Sequence, residues 1–226
     1  MNSKPEYLLI GNTRLHWAKK IGSNYRFNHS PLNHPFPKEI DKDNLFWASV
    51  GNYETSFLKR ENELTIKDIK LRNMPKYFGI DRALGCNAAL QIINNPHQKN
   101  IIVADFGTTL SITKINSEGY LIGGQLIPGF YTQLESMCAS TKNLKMPKRF
   151  EVPQDDFSIQ TQESMLKGVQ HSLIGAVNLA FDPHKDILII CGGDSEMMEP
   201  YFFRKKEVYI RPDLVMKGMI MFYEKY

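Results

Sequence analysis

The sequence predicts a duplicated α/β fold, two α/β halves with a ligand cleft between them. Three observations point there. A short apolar run leading into a glycine turn and a second strand-like run occurs twice, as "YLLIGNTRLHW" (7–17) and "NIIVADFGTTLSI" (100–112). After each opening, helical and strand-like segments alternate. The two openings also overlay when Gly107 is matched to Gly11, which sets Asp105 opposite Leu9. The division falls near residue 100, with an N-terminal half of 1–100 and a C-terminal half of 101–226.

The elements follow in order. Residues 7–29 read as two or three short strands, bounded by the turn signals Gly11-Asn12 and Gly22-Ser23-Asn24. Residues 29–44, with three prolines in 16 residues and no period, form a loop. "LFWASVGN" (45–52) is a continuous apolar run ending in Gly-Asn, the pattern of a strand buried on both faces. "YETSFLKREN" (53–62) suits a helix and "IKDIKL" (66–71) a strand. A helix starts at or just after Asp81, because Leu84, Ala88, Ala89 and Ile92 recur at helical spacing, and Asn94-Asn95-Pro96 stops it. Residues 100–129 read strand, glycine turn, strand, turn, strand. Beyond Pro128-Gly129, Phe130, Leu134, Met137 and Cys138 share one helical face, and 161–181 form a longer helical stretch. "DILIICGGD" (186–194) is a strand running into a double glycine, and "LVMKGMIMFYEK" (214–225) is an amphipathic terminal helix.

Bulk properties bound the function. With 226 residues, 42% of them hydrophobic, the chain can build one large domain or two small ones. The net charge of +4, from 28 basic and 24 acidic residues scattered along the chain, favours a small anionic ligand only weakly and requires no nucleic acid. Cys86, Cys138 and Cys191 are odd in number, far apart and lack a Cys-x-x-Cys spacing, so reduced thiols of a cytosolic protein are expected rather than a disulfide framework or a zinc site. The first apolar run is too short for a signal segment, and no run approaches the roughly 20 apolar residues of a membrane span. The expected location is cytoplasmic, with no membrane partner.

The glycine turns set the chemistry. Gly11-Asn12-Thr13 and Gly107-Thr108-Thr109 let backbone amides approach a phosphate, and the threonine hydroxyls add donors. Either turn alone could be an ordinary hairpin corner; a matched pair could clamp a triphosphate. Asp105, ending an apolar strand, is either a turn former or a cation ligand. Asp81 is either a helix N-cap or a general base for a hydroxyl acceptor, and Arg82 could grip an anionic group of that acceptor or a carboxylate of the protein. "GGQLIPG" is either a tight strand-to-helix connection or backbone brought close to a ligand, and "CGGD" is a similar turn. The six histidines are dispersed, with no His-x-x-x-His pair, and no nucleophilic triad is evident.

Taken in order, "IGNTRLHWA", "GIDRALGCNAA", "VADFGTTLSI", "GGQLIPGFYTQL" and "CGGD" resemble the type III pantothenate kinases of bacteria, from residue 7 to about 225. The most specific element is Gly79-x-Asp81-Arg82, followed by Asp105-x-Gly107-Thr108 and then Gly123-Gly124-x-x-x-Pro128-Gly129. The resemblance implies an actin-like fold of two ribonuclease-H-like halves. It also implies phosphorylation of pantothenate by ATP, the entry step to coenzyme A, with Mg2+ and a monovalent cation such as K+ or NH4+, in a homodimer. By resemblance Asp81 is the base that takes the proton of the pantothenate hydroxyl. Tyr77, Gly79, Ile80, Arg82 and Thr161 join it in binding the substrate. Gly11, Asn12, Thr13, Thr108 and Thr109 bind the ATP phosphates, and Asp105 binds the monovalent cation. One departure is Leu9, which stands where the family carries an aspartate that helps hold the magnesium of the nucleotide; Cys191, in place of a threonine, is milder. Three accounts of Leu9 are open: metal held by the phosphates and Asp105, an altered metal or nucleotide preference, or an inactive relative that binds without catalysis. A kinase for another small hydroxyl acceptor is a further alternative.

Overall fold

The structure is a computed structural model describing residues 5–34, 36, 40–51, 53–93, 95, 97–202 and 206–224. In chain order its elements are β1 (Glu6–Ile10), β2 (Arg14–Ile21), β3 (Asn24–Pro31), β4 (Leu45–Ser49), α1 (Ile80–Ile92), β5 (Asn100–Phe106), β6 (Thr109–Ile115), β7 (Leu121–Pro128), α2 (Phe130–Ser140), α3 (Thr161–Ala180), β8 (Asp186–Cys191), α4 (Ser195–Phe202), β9 (Val208–Ile210) and α5 (Leu214–Glu224). They divide into two compact units. The first takes Met1–Asn94, Glu118–Leu121 and Asp213–Tyr226, the second Asn95–Ser117 and Ile122–Pro212.

In the first unit the sheet runs β3-β2-β1-β4. β1 is antiparallel to β2 and β2 to β3, whereas β4 lies parallel to β1. The β2–β3 hairpin closes on Gly22, whose φ of +65° is the left-handed conformation a two-residue hairpin turn requires. Leu8, Ile10, Leu15, Leu45, Trp47 and Leu58 form a core on one face of this sheet. α5 packs against β1 and β2 and crosses α1. The crossing is close because Gly218 has no side chain: a Cβ there would lie 2.4 Å from the Leu84 carbonyl oxygen. The end of α5 is tied to the sheet by Tyr223, whose ring packs at a tilt against Phe46 and Tyr7, and by Glu224, which accepts from Tyr25 Oη and pairs with Lys20.

The second unit repeats this order and adds a strand, as β7-β6-β5-β8-β9. β5 is antiparallel to β6 and parallel to β8. β8 is buried along its whole length and β5 along most of it, which explains their near-continuous apolar sequences. Ile102, Ala104, Phe106, Leu188 and Ile190 share a core with residues of α2, α3 and α4. The fully buried Asp186 accepts a 2.7 Å ion pair from Lys114 and hydrogen bonds from Asn100 Nδ2 (3.1 Å) and the Asp182 N–H (3.1 Å), so its charge is compensated on three sides. The expected duplication is therefore present as topology: β3-β2-β1-β4 recurs as β7-β6-β5-β8, with Leu9 and Asp105 each two residues before the glycine that follows the strand.

Several local expectations need correction. The helix expected at 53–62 is reduced to one 3₁₀ turn, Arg60–Asn62, because of these residues only Leu58 is buried and no apolar stripe exists to hold a helix against the core. The strand expected at 66–71 is another 3₁₀ turn, Ile66–Asp68, closed by Thr65, whose backbone N–H and hydroxyl both donate to Asp68. The third strand runs on to Pro31, into the segment expected to be loop. α1 begins at Ile80 with Gly79 at the N-cap position, so Asp81 is inside the first turn rather than the cap. α4 and β9 were not expected. Asn52, at the end of the fourth expected strand, and the helix-stopping Asn94 and Pro96 lie outside the described residues.

Replacing Gly218 by alanine forces the Leu84 carbonyl and the backbone of α5 apart. The expected cost is about 1–3 kcal/mol of unfolding free energy, read as a lower urea midpoint with unchanged slope.

Candidate active site

In the first unit the functional groups gather at the carboxyl ends of the parallel strands β1 and β4. The Gly11 turn follows β1 directly: its N–H donates to the Arg14 carbonyl at 2.9 Å, Leu32 N–H donates to Thr13 O at 3.1 Å, and Tyr53 Oη donates to Asn12 O at 3.0 Å. Asn12 and Thr13 are exposed and Gly11 is buried. Val50, just past β4, donates its N–H to Ile10 O at 2.9 Å, which holds the two strand ends side by side.

A cavity of about 250 Å³ opens beside Val50, lined among others by Ser49, Thr65, Tyr77, Phe78, Gly79 and Ile80. Of the expected substrate-binding residues it brings together Tyr77, Gly79 and Ile80, and Asp81 and Arg82 follow on the first turn of α1. Asp81 Oδ1 accepts the Arg82 backbone N–H at 2.8 Å, while Oδ2 has no hydrogen-bond partner among the described residues. Glycine at 79 makes this possible, since a Cβ there would lie 2.6 Å from Asp81 Oδ1. The Arg82 guanidinium carbon sits 4.2 Å from the centroid of the Phe78 ring, a cation–π contact, and forms no ion pair among the described residues. Its charge is thus oriented by an aromatic face rather than consumed by a carboxylate. One turn along, burial pushes the Cys86 thiol up to about 12, so it stays protonated and is no nucleophile.

In the second unit the corresponding strand ends carry Asp105, Thr108 and Thr109. Asp105 is part-buried, in register with Ser111 on β6 and Cys191 on β8. Gly192, at φ +91°, passes so close that a Cβ on it would lie 2.3 Å from Asp105 Oδ1 and 2.4 Å from Phe106 O. The Gly107-Thr108-Thr109 turn is backed by the start of α2: Gly129 N–H and Thr132 Oγ1 both donate to Thr108 O, at 2.9 and 2.7 Å. A Cβ on Gly129 would lie 1.9 Å from Gly107 O. "GGQLIPG" is therefore a tight strand-to-helix connection whose last glycine buttresses the turn. Thr161 opens α3 and is exposed.

Among the described residues no three His, Cys, Asp or Glu side chains are grouped closely enough to hold a metal ion. A single carboxylate such as Asp105 suits a cation whose other ligands are phosphate oxygens and water. At the topologically equivalent point of the first unit Leu9 is 4% exposed, in register with His16 and Ala48, and offers no ligand. The sequence did not single out Ser49 and Thr65 as cavity lining. It also left His16 unmarked, although a two-residue turn at Gly22-Ser23 necessarily pairs residue 16 with residue 29.

Two sheets of the same strand order, each with a glycine turn at the carboxyl ends of its parallel strands, define a protein with the duplicated α/β fold of the actin-like class. Solved structures agree on the fold. A conserved protein of the Baf transcriptional-activator family from Campylobacter jejuni aligns over 97% of this chain and 98% of its own with a TM-score of 0.66 at 18% identity. The ADPNP-bound activator of 2-hydroxyisocaproyl-CoA dehydratase from Clostridium difficile covers 98% and 95%, with a TM-score of 0.52 at 12% identity. The sequence narrows the class. The profile of the type III pantothenate kinase family matches residues 36–182, more than half of the chain, and the chain belongs to that family. Named type III pantothenate kinases similar to it include those of Synechocystis sp., 29% identical over 208 residues (86% of this chain, 79% of the relative), and of Synechococcus elongatus, 24% identical over 241 residues (94% and 93%).

The double glycine separates two roles. Gly192→Ala is expected to lose at least about 2 kcal/mol of stability, because a left-handed residue gains a side chain against Asp105 and Phe106. Gly193→Ala meets nothing within 4 Å and should unfold within about 0.5 kcal/mol of the parent in the same urea titration.

Proposed function

We infer that this chain transfers the γ-phosphoryl group of ATP to the hydroxyl of pantothenate, giving 4′-phosphopantothenate in the first step of coenzyme A biosynthesis. Membership of the family supports the reaction, and one observation in the site carries its mechanism: Asp81, with one oxygen tied to the Arg82 N–H and the other open, stands next to a small cavity lined by Tyr77, Gly79 and Ile80.

In the proposed mechanism pantothenate lies along Tyr77, Gly79 and Ile80, with Thr161 as a further contact. Its carboxylate is held by Arg82, whose guanidinium has no other ion pair among the described residues. Its hydroxyl donates to Asp81 Oδ2, which orients the attacking oxygen and takes the proton as the bond to phosphorus forms. Asn12 and Thr13 of the first turn, shaped by Gly11 whose own N–H is bonded to the Arg14 carbonyl and which lets the phosphates approach closely, and Thr108 and Thr109 of the second donate hydrogen bonds to the phosphates. The leaving ADP departs in line with the attacking oxygen, so no covalent phospho-enzyme is formed. Magnesium and a monovalent cation (K+ or NH4+), the latter on Asp105, would screen the charge of the phosphates. We place the reaction in the cytoplasm and in a homodimer. Ile122 and Leu126, exposed large apolar residues on the edge strand β7, support the dimer.

The test is ATP consumption by the purified chain with magnesium, potassium and pantothenate. Turnover that depends on pantothenate is expected, and none above background in folded protein sinks the reading. Asp81→Asn should lower kcat by about 100- to 10,000-fold while the Kd for pantothenate changes less than about threefold. Near-parental turnover in that variant removes Asp81 as the base.

A further inference from the structure

One polar cluster of the first unit has no part in the mechanism above. His16 on β2 is the direct cross-strand partner of Leu9 on β1, so the two side chains share a face of the sheet. On its other side it pairs with His29 of β3: the two Nδ1 atoms are 2.8 Å apart and the rings meet edge to face at 4.9 Å. His29 Nε2 in turn lies 3.7 Å from Asp213 Oδ1. The remaining nitrogen, His16 Nε2, abuts the glycine turn. A Cβ on Gly11 would be 3.1 Å from Nε2 and 3.4 Å from Cδ2, so the imidazole edge fills the space that a side chain at position 11 would take.

Burial, reinforced by the neighbouring His29 and Arg14, pushes the His16 imidazole down to about 4, so the ring is neutral near pH 7. A neutral imidazole has one N–H and one lone pair. With Nδ1 engaged by His29, Nε2 carries the complementary group. When His29 donates, Nε2 is an N–H; when His16 donates, Nε2 is a lone pair. The first suits a phosphate oxygen and the second a water molecule on a phosphate-bound metal ion. Either partner belongs to the hydrated phosphate end of a nucleotide.

The sheet repeat supplies a second argument. The pair Leu9 and His16 corresponds to Asp105 and Ser111. In the second unit the ionisable group at this point sits on the first strand of the hairpin, and in the first unit it sits on the second strand.

We propose that His16 is a nucleotide-contacting residue of the first glycine turn, its Nε2 hydrogen-bonding the phosphate–metal end of ATP beside Leu9, with His29 and Asp213 as positioning residues that hold the ring. The proposal rests on the kinase reading and names a contact within it.

The experiment is a calorimetric titration of the full chain with Mg·ATP, without pantothenate, comparing the parent with His16→Ala, His16→Gln and His16→Asn. His16→Ala should weaken binding about tenfold, the effect of one hydrogen bond to a charged partner. Glutamine, whose amide reaches as far as Nε2, should restore the Kd to within about threefold of the parent, whereas the shorter asparagine should not. His29→Leu should fall between the parent and His16→Ala, because the ring is kept but no longer held. A purely structural role predicts instead that Gln and Asn weaken binding equally and in step with their loss of thermal stability, and that result overturns the proposal. So does His16→Ala binding Mg·ATP as tightly as the parent. A parent chain that binds no Mg·ATP at all removes the kinase reading, and this contact with it.

Discussion

The parallel pairing of one buried strand with another, β1 with β4 and β5 with β8, is the constraint on which the rest of each unit depends. Parallel neighbours cannot be joined by a tight turn, so the chain must leave the sheet and return. In the second unit the excursion between β5 and β8 contains the β6–β7 hairpin, α2 and α3. Both strands of each pair run in the same direction, so both deliver their next residues to the same edge. Val50 bonds to the Ile10 carbonyl at one such edge, and Gly192 lies against Asp105 and Phe106 at the other. Groups distant in sequence become neighbours there, where the backbone leaves the ladder.

Close backbone approach fixes these edges further. Gly192 beside Asp105, Gly129 against Gly107 and Gly79 under Asp81 each occupy a position where a Cβ would fall within 2.6 Å of another atom. The consequence is rotational: with no side chain in the way, the Asp81 carboxylate folds back over the helix start, and the Thr108 carbonyl is held by two donors, Gly129 just before α2 and Thr132 in its first turn. A turn whose carbonyl is already fixed keeps its direction when a charged ligand arrives, and donors that need no reorientation stabilise developing charge most effectively.

Legibility in the sequence followed the strength of burial. β5, β8 and α1 were readable because continuous apolar runs and a helical period leave few alternatives. Residues 53–71 were not, because that stretch is held by isolated anchors: Trp47 Nε1 donating to Lys59 O at 2.9 Å, Leu64 N–H donating to Trp47 O at 2.7 Å, and the Thr65–Asp68 turn. Such anchors have no period. The motif residues of the site were readable one by one as glycine, aspartate and threonine turns. The cavity was not, since Ser49 and Thr65 reach it only through the fold of that anchored stretch. The histidine pair lay between these cases: its residues are unremarkable along the chain, and only the parity of the Gly22-Ser23 turn brings them together.

Leu9 and Asp105 show how the same topological point can be served by different electrostatics. A carboxylate at a strand position only 4% exposed needs a charged or hydrogen-bonding partner to compensate the loss of water, whereas leucine at that point stabilises the sheet without one. A carboxylate next to a triphosphate also adds repulsion that a cation must offset, and a neutral imidazole adds none. With the proposed contact at His16, the first turn would meet the phosphates with neutral donors, and the proposed anionic ligand for a cation would be Asp105 on the second unit's strand edge. On the proposed reading, leucine at position 9 places no demand for a bridging ion on the first turn and leaves its exposed Asn12 and Thr13 to meet the nucleotide.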